Sequence, residues 1–353
     1  MKALVLAGGY GKRLRPLTYS IPKQLVPIAN RPIISYVIEQ IRTSGIRDVG
    51  IVVSPHTKDQ IIEALDTEGG LDFTFIVQKQ PLGLAHAVLT ARSFLGEDPF
   101  LMYLGDNLIG DSISDLVTGF DRKSEDGLIL LKEVADPSMF GVATVDGDGR
   151  ITGLVEKPAS PPSNLALVGV YLFTPIIHEA IRKIKPSSRG EYEITDAISE
   201  LLKSKRRIRS EILNCWWLDT GKKDDLLVAN RIILDELKNH TIDGQIDDRS
   251  RLGDKVTIGK ESMVSNSVIR GPSVIGENTT IKDSEIGPHS AIGNGCRIIN
   301  SKLCESVIMD RVSMDNVNQL SESIIGQKSV ITQSARGGKA IRLLVGDASQ
   351  IEI

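Results

Sequence analysis

Residues 3–7 are continuously apolar, the pattern of a parallel strand covered on both faces, and three glycines, Gly8, Gly9 and Gly11, follow within four residues. Downstream, Ile33, Ile34, Val37, Ile38 and Ile41 recur at helical spacing between Pro32 and Gly45 and predict an amphipathic helix. Residues 49–53 read as the next buried strand, Thr57 with Gln60 as a capping box for a helix through Leu65, and residues 73–77 as a third strand. This β-α-β-α-β alternation implies a parallel sheet with helices on both faces, and ligands gather at the carboxyl ends of such strands. A strand over residues 100–104 then ends in Gly105-Asp106-Asn107. Beyond it the pattern turns antiparallel: residues 142–145 and 151–155 form a hairpin about the turn 146–149, and an apolar strand covers 167–173. Two further helices are expected, one from about Tyr192 and one with Leu226, Leu227, Ile232, Ile233 and Leu237 on its apolar stripe.

From about residue 241 helical periods vanish, and short Ile-Gly elements recur at Ile258, Ile275, Ile286, Ile292 and Ile325. Ser267, Ser284 and Ser301 stand 17 apart, while Ser273, Ser290, Ser306 and Ser323 repeat at 17, 16 and 17. Three short strands per coil, each sending an aliphatic side chain into a narrow interior, explain this period and predict a left-handed parallel β-helix of the hexapeptide type. Asp310 falls where a glycine is expected, and residues 341–353 read as a closing strand or tail. The expected fold class is therefore α/β, with a Rossmann-like mixed-sheet domain over residues 1–240 followed by a β-helix domain over 241–353.

Bulk properties narrow the function. A chain of 353 residues can hold two cores, and a formal net charge of −3 gives no general attraction to nucleic acid or membrane, so anionic ligands must be held locally. The basic cluster Lys203, Lys205, Arg206, Arg207 and Arg209 lacks interleaved aromatics and reads as a solvated face. No run of 18 apolar residues occurs, the N-terminus enters a strand at once, and three cysteines are too few for a disulfide framework; cytoplasmic residence is the expectation.

The candidate chemistry lies at the strand ends. Glycines let successive N–H groups point at one anion, and Arg13 and Lys23 add positive charge beside them; the same residues also suit an ordinary turn with solvated cations. The spacing is neither the dinucleotide nor the Walker pattern. After the third strand, the Gln78 amide can pair with a pyrimidine edge through one donor and one acceptor, and Gly83 lets a base approach the backbone; a plain loop and helix start is the other reading. Asp106, at the tip of a central strand, is either a divalent-cation ligand or a cap for the segment 111–118. Lys157 suits a sugar phosphate and Glu156 the ring hydroxyls, although a surface pair of this kind is common. Trp216 and Trp217 read as core or interface anchors.

The full string L-A-G-G-x-G-x-R-L-x-P-x-T over residues 6–18, with K-Q-L at 23–25, closely resembles the signature of the sugar-1-phosphate nucleotidylyltransferases. The resemblance extends over the whole chain: a glutamine and a glycine five residues on (Gln78, Gly83), L-G-D-N at 104–107, E-K-P at 156–158, R-G-E-x-E-I-T-D at 189–196 and W-x-D-x-G at 217–221. It implies a nucleotide site of Leu6, Gly8, Gly9, Gly11, Gln24, Gln78, Pro81 and Gly83. It implies a sugar-phosphate site of Asn107, Gly141, Glu156, Lys157 and Val168, and Mg²⁺ held by Asp106 and Asp219. Arg13, Lys23, Asp106, Lys157 and Asp219 are then the catalytic groups.

K-Q-L together with the β-helix extension leans toward the thymidylyl-transferring members. The implied reaction is dTTP plus glucose 1-phosphate giving dTDP-glucose and pyrophosphate, with homo-oligomers as the working form and neither nucleic acid nor membrane as partner. Uridylyl transfer, and a non-catalytic regulatory subunit built from the same domain pair, remain open; an acetyltransferase role for the β-helix is weaker, His289 being its sole histidine. Lys12 departs from the usual threonine and Phe140 from the usual tyrosine, whose hydroxyl would have reached the sugar.

Overall fold

A computed structural model describes residues 1–238, 240–333 and 341–352, so Ile353 of the expected closing segment lies outside the described residues. Contacts divide the chain into two units, residues 1–9 with 34–219 and residues 10–33 with 220–353.

The first unit is built on a nine-stranded sheet. Its parallel half runs Phe100–Leu104, Lys2–Leu6, Asp48–Val53, Asp72–Val77, with Leu6 in register with both Val52 and Leu104, so the ends of these strands and the loops leaving them share one edge. Ala3, Leu4, Val5, Phe100, Leu101 and Met102 are fully buried, which is why the sequence reads as unbroken apolar runs. Strand Leu165–Phe173 joins the other edge antiparallel to Phe100–Leu104, followed by the hairpin Gly141–Val145 and Ile151–Glu156. Strands Gly127–Glu133 and Ile208–Ile212 complete the sheet. Helices Ile33–Thr43, Lys58–Leu65 and Ile194–Lys203 fall where periodicity places them. The Thr57–Gln60 capping box does not form: the Thr57 hydroxyl turns back and meets Ser54, accepting from its N–H at 3.2 Å.

All nine residues of Leu165–Phe173 are buried, and the register against Gly127–Glu133 shifts between Leu167 and Tyr171. Gly169 occupies that irregularity with φ of +87°, a conformation side chains rarely adopt. A carbon added to it would lie 2.7 Å from Leu104 Cδ1 and 3.2 Å from Asn107 Cγ, so its bareness lets the segment that runs from Leu104 to Asn107 pack close.

In the second unit, three parallel sheets of seven, seven and five described strands stack into the β-helix. Ile258, Ile275, Ile292, Ile308 and Ile325 occupy equivalent positions on successive coils, each at most 1% exposed. Burial of such a side chain is worth roughly 1.5–3 kcal/mol, which lets coils with so little other structure hold together. The serine repeats have a polar purpose: Ser267 Oγ accepts from Ser284 N–H, Ser284 Oγ from Ser301 N–H and Ser301 Oγ from Val317 N–H, each at 3.1 Å. Asp310, the irregular residue of the repeat, accepts the Asn294 N–H through Oδ1 at 2.8 Å and so replaces a glycine with a cap.

Residues 10–33 and helix Lys223–Asp235 cluster with the β-helix. The reason is a set of polar ties: Asn30 Nδ2 donates to the Ile292 carbonyl at 2.5 Å, Asn230 Nδ2 to the His289 carbonyl at 2.9 Å, and Lys223 Nζ to the Glu322 carbonyl at 2.9 Å. His289 meets Asp235 through Nε2 at 2.9 Å, a structural role for that histidine.

Candidate active site

In the first unit the glycine loop leaves the central strand beside its neighbours. Leu6 ends the strand, accepting from Gly105 N–H at 3.0 Å. A carbon on Gly8 would lie 3.5 Å from Gln78 Oε1 and 3.6 Å from Ser54 N, whereas Gly9 faces open space. Gln78 is 9% exposed at the end of strand Asp72–Val77. Its Nε2 donates to the Gly83 carbonyl at 3.2 Å and lies 2.9 Å from His86 Nδ1. Both amide protons are thereby engaged inside the protein, and Oε1 is the group left to present. Pro81 and Gly83 lie in a loop clamped to Tyr192, whose N–H reaches the Leu82 carbonyl at 2.8 Å and whose carbonyl receives the Ala85 N–H at 3.1 Å. Gly83 has φ of +100°, and a carbon on it would stand 2.6 Å from the Tyr192 carbonyl oxygen, so the clamp requires glycine.

The two candidate metal acids both belong to this same unit. The short strands Asn107–Ile109 and Trp217–Asp219 pair antiparallel with Asp219 opposite Asn107, which sets Asp106 one step away from Asp219. Asn107 is 3% exposed and donates from Nδ2 to Asp106 Oδ1 at 3.0 Å, while its Oδ1 accepts the Trp217 indole N–H at 2.7 Å. The Trp217 ring packs on Phe140 at 4.9 Å between centroids. Trp217 is thus more than the apolar anchor read from sequence, since it fixes the amide that orients Asp106. Two carboxylates with oxygen-only donors suit a hard divalent cation, which completes its shell with phosphate oxygens and water. The residues present fit such an ion.

On the antiparallel side, Glu156 and Lys157 follow the hairpin. Lys157 takes φ of +42°, a costly conformation for a lysine, and its N–H is tied to the Phe140 carbonyl at 2.9 Å. Its Nζ lies 3.6 Å from Glu156 Oε1. Glu156 is also met by Arg189 Nη1 at 3.2 Å and by the Thr195 hydroxyl at 3.2 Å. Gly141 is required here, because a carbon on it would meet Thr195 Cγ2 at 2.8 Å and Glu156 Oε2 at 3.3 Å. Val168 is fully buried beside the strand irregularity, a supporting position. Burial raises the pKa of Glu193 above the usual carboxylate range, against the lowering effect of its Ser187 bond and of Arg189. Arg189 and Thr195, read from sequence only as part of a pattern, hold Glu156 in place.

The remaining candidates belong to the second unit. Gly11 has φ of +58°, its carbonyl accepts the Thr18 hydroxyl at 2.8 Å, and a carbon on it would lie 3.1 Å from Lys23 Cβ. Arg13 is exposed and its guanidinium packs on Gly221, where a carbon would stand 2.8 Å from Nη2. Lys23 and Gln24 are 6% and 2% exposed. Gln24 Oε1 is buried without a hydrogen-bond partner among the described residues, an acceptor that a ligand donor would satisfy. Arg206 and Arg209 of the basic cluster pair with Asp126, Glu125 and Glu211, as a solvated face does. Among the described residues no helix is long and apolar enough to cross a membrane.

The chain is 47% identical over 356 residues to a glucose-1-phosphate thymidylyltransferase of Streptomyces antibioticus, covering 100% of this chain and 99% of that one. It is 44% identical to the Streptomyces griseus protein of the same name, with the same coverage. Among solved structures, one from Bacillus anthracis assigned as a glucose-1-phosphate thymidylyltransferase and solved with a sucrose matches at a TM-score of 0.62 and 34% identity. That match covers 66% of this chain and 94% of the other. A UDP-glucose pyrophosphorylase solved with UDP-glucose matches at 0.61 and 29%, over 67% and 98%. The Nucleotidyl transferase family profile matches residues 2–236, and the chain belongs to that family.

Proposed function

We propose that this enzyme transfers a thymidylyl group from dTTP to glucose 1-phosphate, releasing pyrophosphate and giving dTDP-glucose. The observation that carries the reading is the identity of 47% and 44%, sustained over the entire chain, with two proteins named for that reaction. Residues 1–240 would hold the transfer chemistry and residues 241–353 would serve self-association into a cytoplasmic homo-oligomer, since β-helices pack readily side by side.

An oxygen of the sugar phosphate attacks the α-phosphorus of dTTP in line, one P–O bond forms, the bond to the β-phosphate breaks, and pyrophosphate leaves with its electron pair. No protein nucleophile is needed, so catalysis is alignment and charge neutralisation. Mg²⁺, when bound by Asp106 and Asp219, supplies positive charge that lets two anionic phosphates approach. Arg13 stabilises the leaving pyrophosphate, Lys23 serves the α-phosphate, and Lys157 holds the attacking sugar phosphate. The N–H groups around Gly8, Gly9 and Gly11 cradle the nucleotide phosphates. Gln24, Gln78, Pro81 and Gly83 take the nucleoside, and Asn107, Gly141, Glu156 and Val168 shape the sugar side.

A coupled pyrophosphate-release assay with glucose 1-phosphate and each of dTTP, UTP, dCTP, ATP and GTP tests the proposal. dTTP should give the highest kcat/KM, and Arg13→Ala or Asp219→Ala should lower kcat on the order of 100-fold or more with little change in Tm. A preference for UTP, or near-normal kcat in either variant, refutes it.

A further inference from the structure

The orientation of the Gln78 amide is fixed twice over. A carbonyl oxygen can only accept, so the Gln78 atom 3.2 Å from the Gly83 carbonyl is the nitrogen. That same nitrogen lies 2.9 Å from His86 Nδ1, which must then be the acceptor, placing the imidazole proton on Nε2. Burial lowers the pKa of His86 and favours this neutral form. The ring sits beside Tyr192, 6.3 Å between centroids, the residue whose backbone clamps the loop. With nitrogen turned inward, Oε1 faces Gly8 at the mouth of the glycine loop.

We infer that His86 is a positioning residue for base discrimination: its Nδ1 locks the Gln78 amide so that an acceptor, Oε1, meets the pyrimidine edge. Thymine and uracil carry a proton on N3 and match that acceptor. Cytosine N3 is itself an acceptor and meets Oε1 with two lone pairs opposed. The inference rests on the proposal that Gln78 reads the base. Without the imidazole only the Gly83 carbonyl opposes rotation of the amide, and a rotated amide would present N–H groups to cytosine.

The test measures kcat/KM for dTTP and dCTP with glucose 1-phosphate and Mg²⁺ in the full-length wild type and in H86L, H86N and Q78L. In H86L the dTTP-to-dCTP ratio should fall on the order of tenfold, the effect of one net hydrogen bond, chiefly through KM. H86N, whose side-chain oxygen can stand where Nδ1 stood, should hold the ratio within about twofold of wild type. Q78L should raise KM for dTTP and collapse the ratio. A Q78L ratio equal to wild type sinks the base-reading proposal itself. A collapsed ratio in Q78L with an unchanged one in H86L sinks only the role of His86, as do equal losses with both nucleotides in H86L and H86N. If H86L does not fold, ¹⁵N NMR of the wild type decides: a proton on His86 Nδ1 overturns the inference, and a bare Nδ1 with a protonated Nε2 upholds it.

Discussion

Trp217→Phe isolates one proton. The variant keeps an aromatic ring against Phe140 and removes the indole N–H that Asn107 Oδ1 accepts at 2.7 Å. Because Asn107 is 3% exposed, water cannot readily replace that donor, and an orphaned buried carbonyl costs about 1–3 kcal/mol. Much of this should appear at Asp106, whose Oδ1 is braced by the other end of the same amide. At 1.4 kcal/mol per factor of ten, the full cost corresponds to roughly 5- to 150-fold, and partners that orient metal ligands are typically worth about 10- to 100-fold. We expect the half-saturating Mg²⁺ concentration to rise about tenfold in a pyrophosphate-release assay, with KM for dTTP nearly constant. Tm read alongside separates orientation from stability. A variant that loses Tm yet keeps both its Mg²⁺ dependence and its kcat would show that Trp217 merely packs, and that the link from indole to carboxylate carries no function.

Two further outcomes follow from burial. Ile298→Ala opens a hole in the β-helix interior at a fully buried site, and urea unfolding should show a loss of about 2–5 kcal/mol; a loss under about 1 kcal/mol would mean the coils collapse freely around it. Glu193 has a pKa raised chiefly by burial, so its protonated form favours the fold. Its contribution is present below the ordinary carboxylate value and is lost as pH rises through the folded value. Glu193→Gln should therefore gain Tm relative to wild type as pH rises above the ordinary carboxylate value, and a difference that stays flat with pH contradicts the assignment.

The parallel half of the sheet was readable because residues such as Leu4, Val5 and Leu101 are buried on both faces and leave apolar runs, and the β-helix because one isoleucine per coil must point inward. Gly83 could be singled out as a place of close approach, although what approaches it within the protein is Tyr192. The pairing of Asp219 with Asn107 was not readable from periodicity: two three-residue strands carry too little pattern, and only family likeness put the two acids together. His86, Thr195 and the Trp217 indole were missed as functional groups because each acts on a residue brought near by folding, and no local spacing records such a tie. Thr57 shows the opposite error, since a capping-box pattern was present and a nearby serine competed successfully for the hydroxyl. The grouping of residues 10–33 with the β-helix was likewise hidden, because it depends on side-chain ties such as Asn30 to Ile292 across 262 positions of chain.

The serine ladder constrains how this part of the gene can change length. The hydroxyls of Ser267, Ser284 and Ser301 take the N–H found one circuit later, 17 or 16 residues on, and that of Ser323 takes the Leu343 N–H 20 residues on, so a circuit is the smallest block that can be duplicated or excised while every rung still finds its mate. Loss of two or three residues within a circuit would instead move apolar side chains outward along the rest of the stack. Natural variation in length should therefore come as whole circuits, or else be confined to the corners between strands.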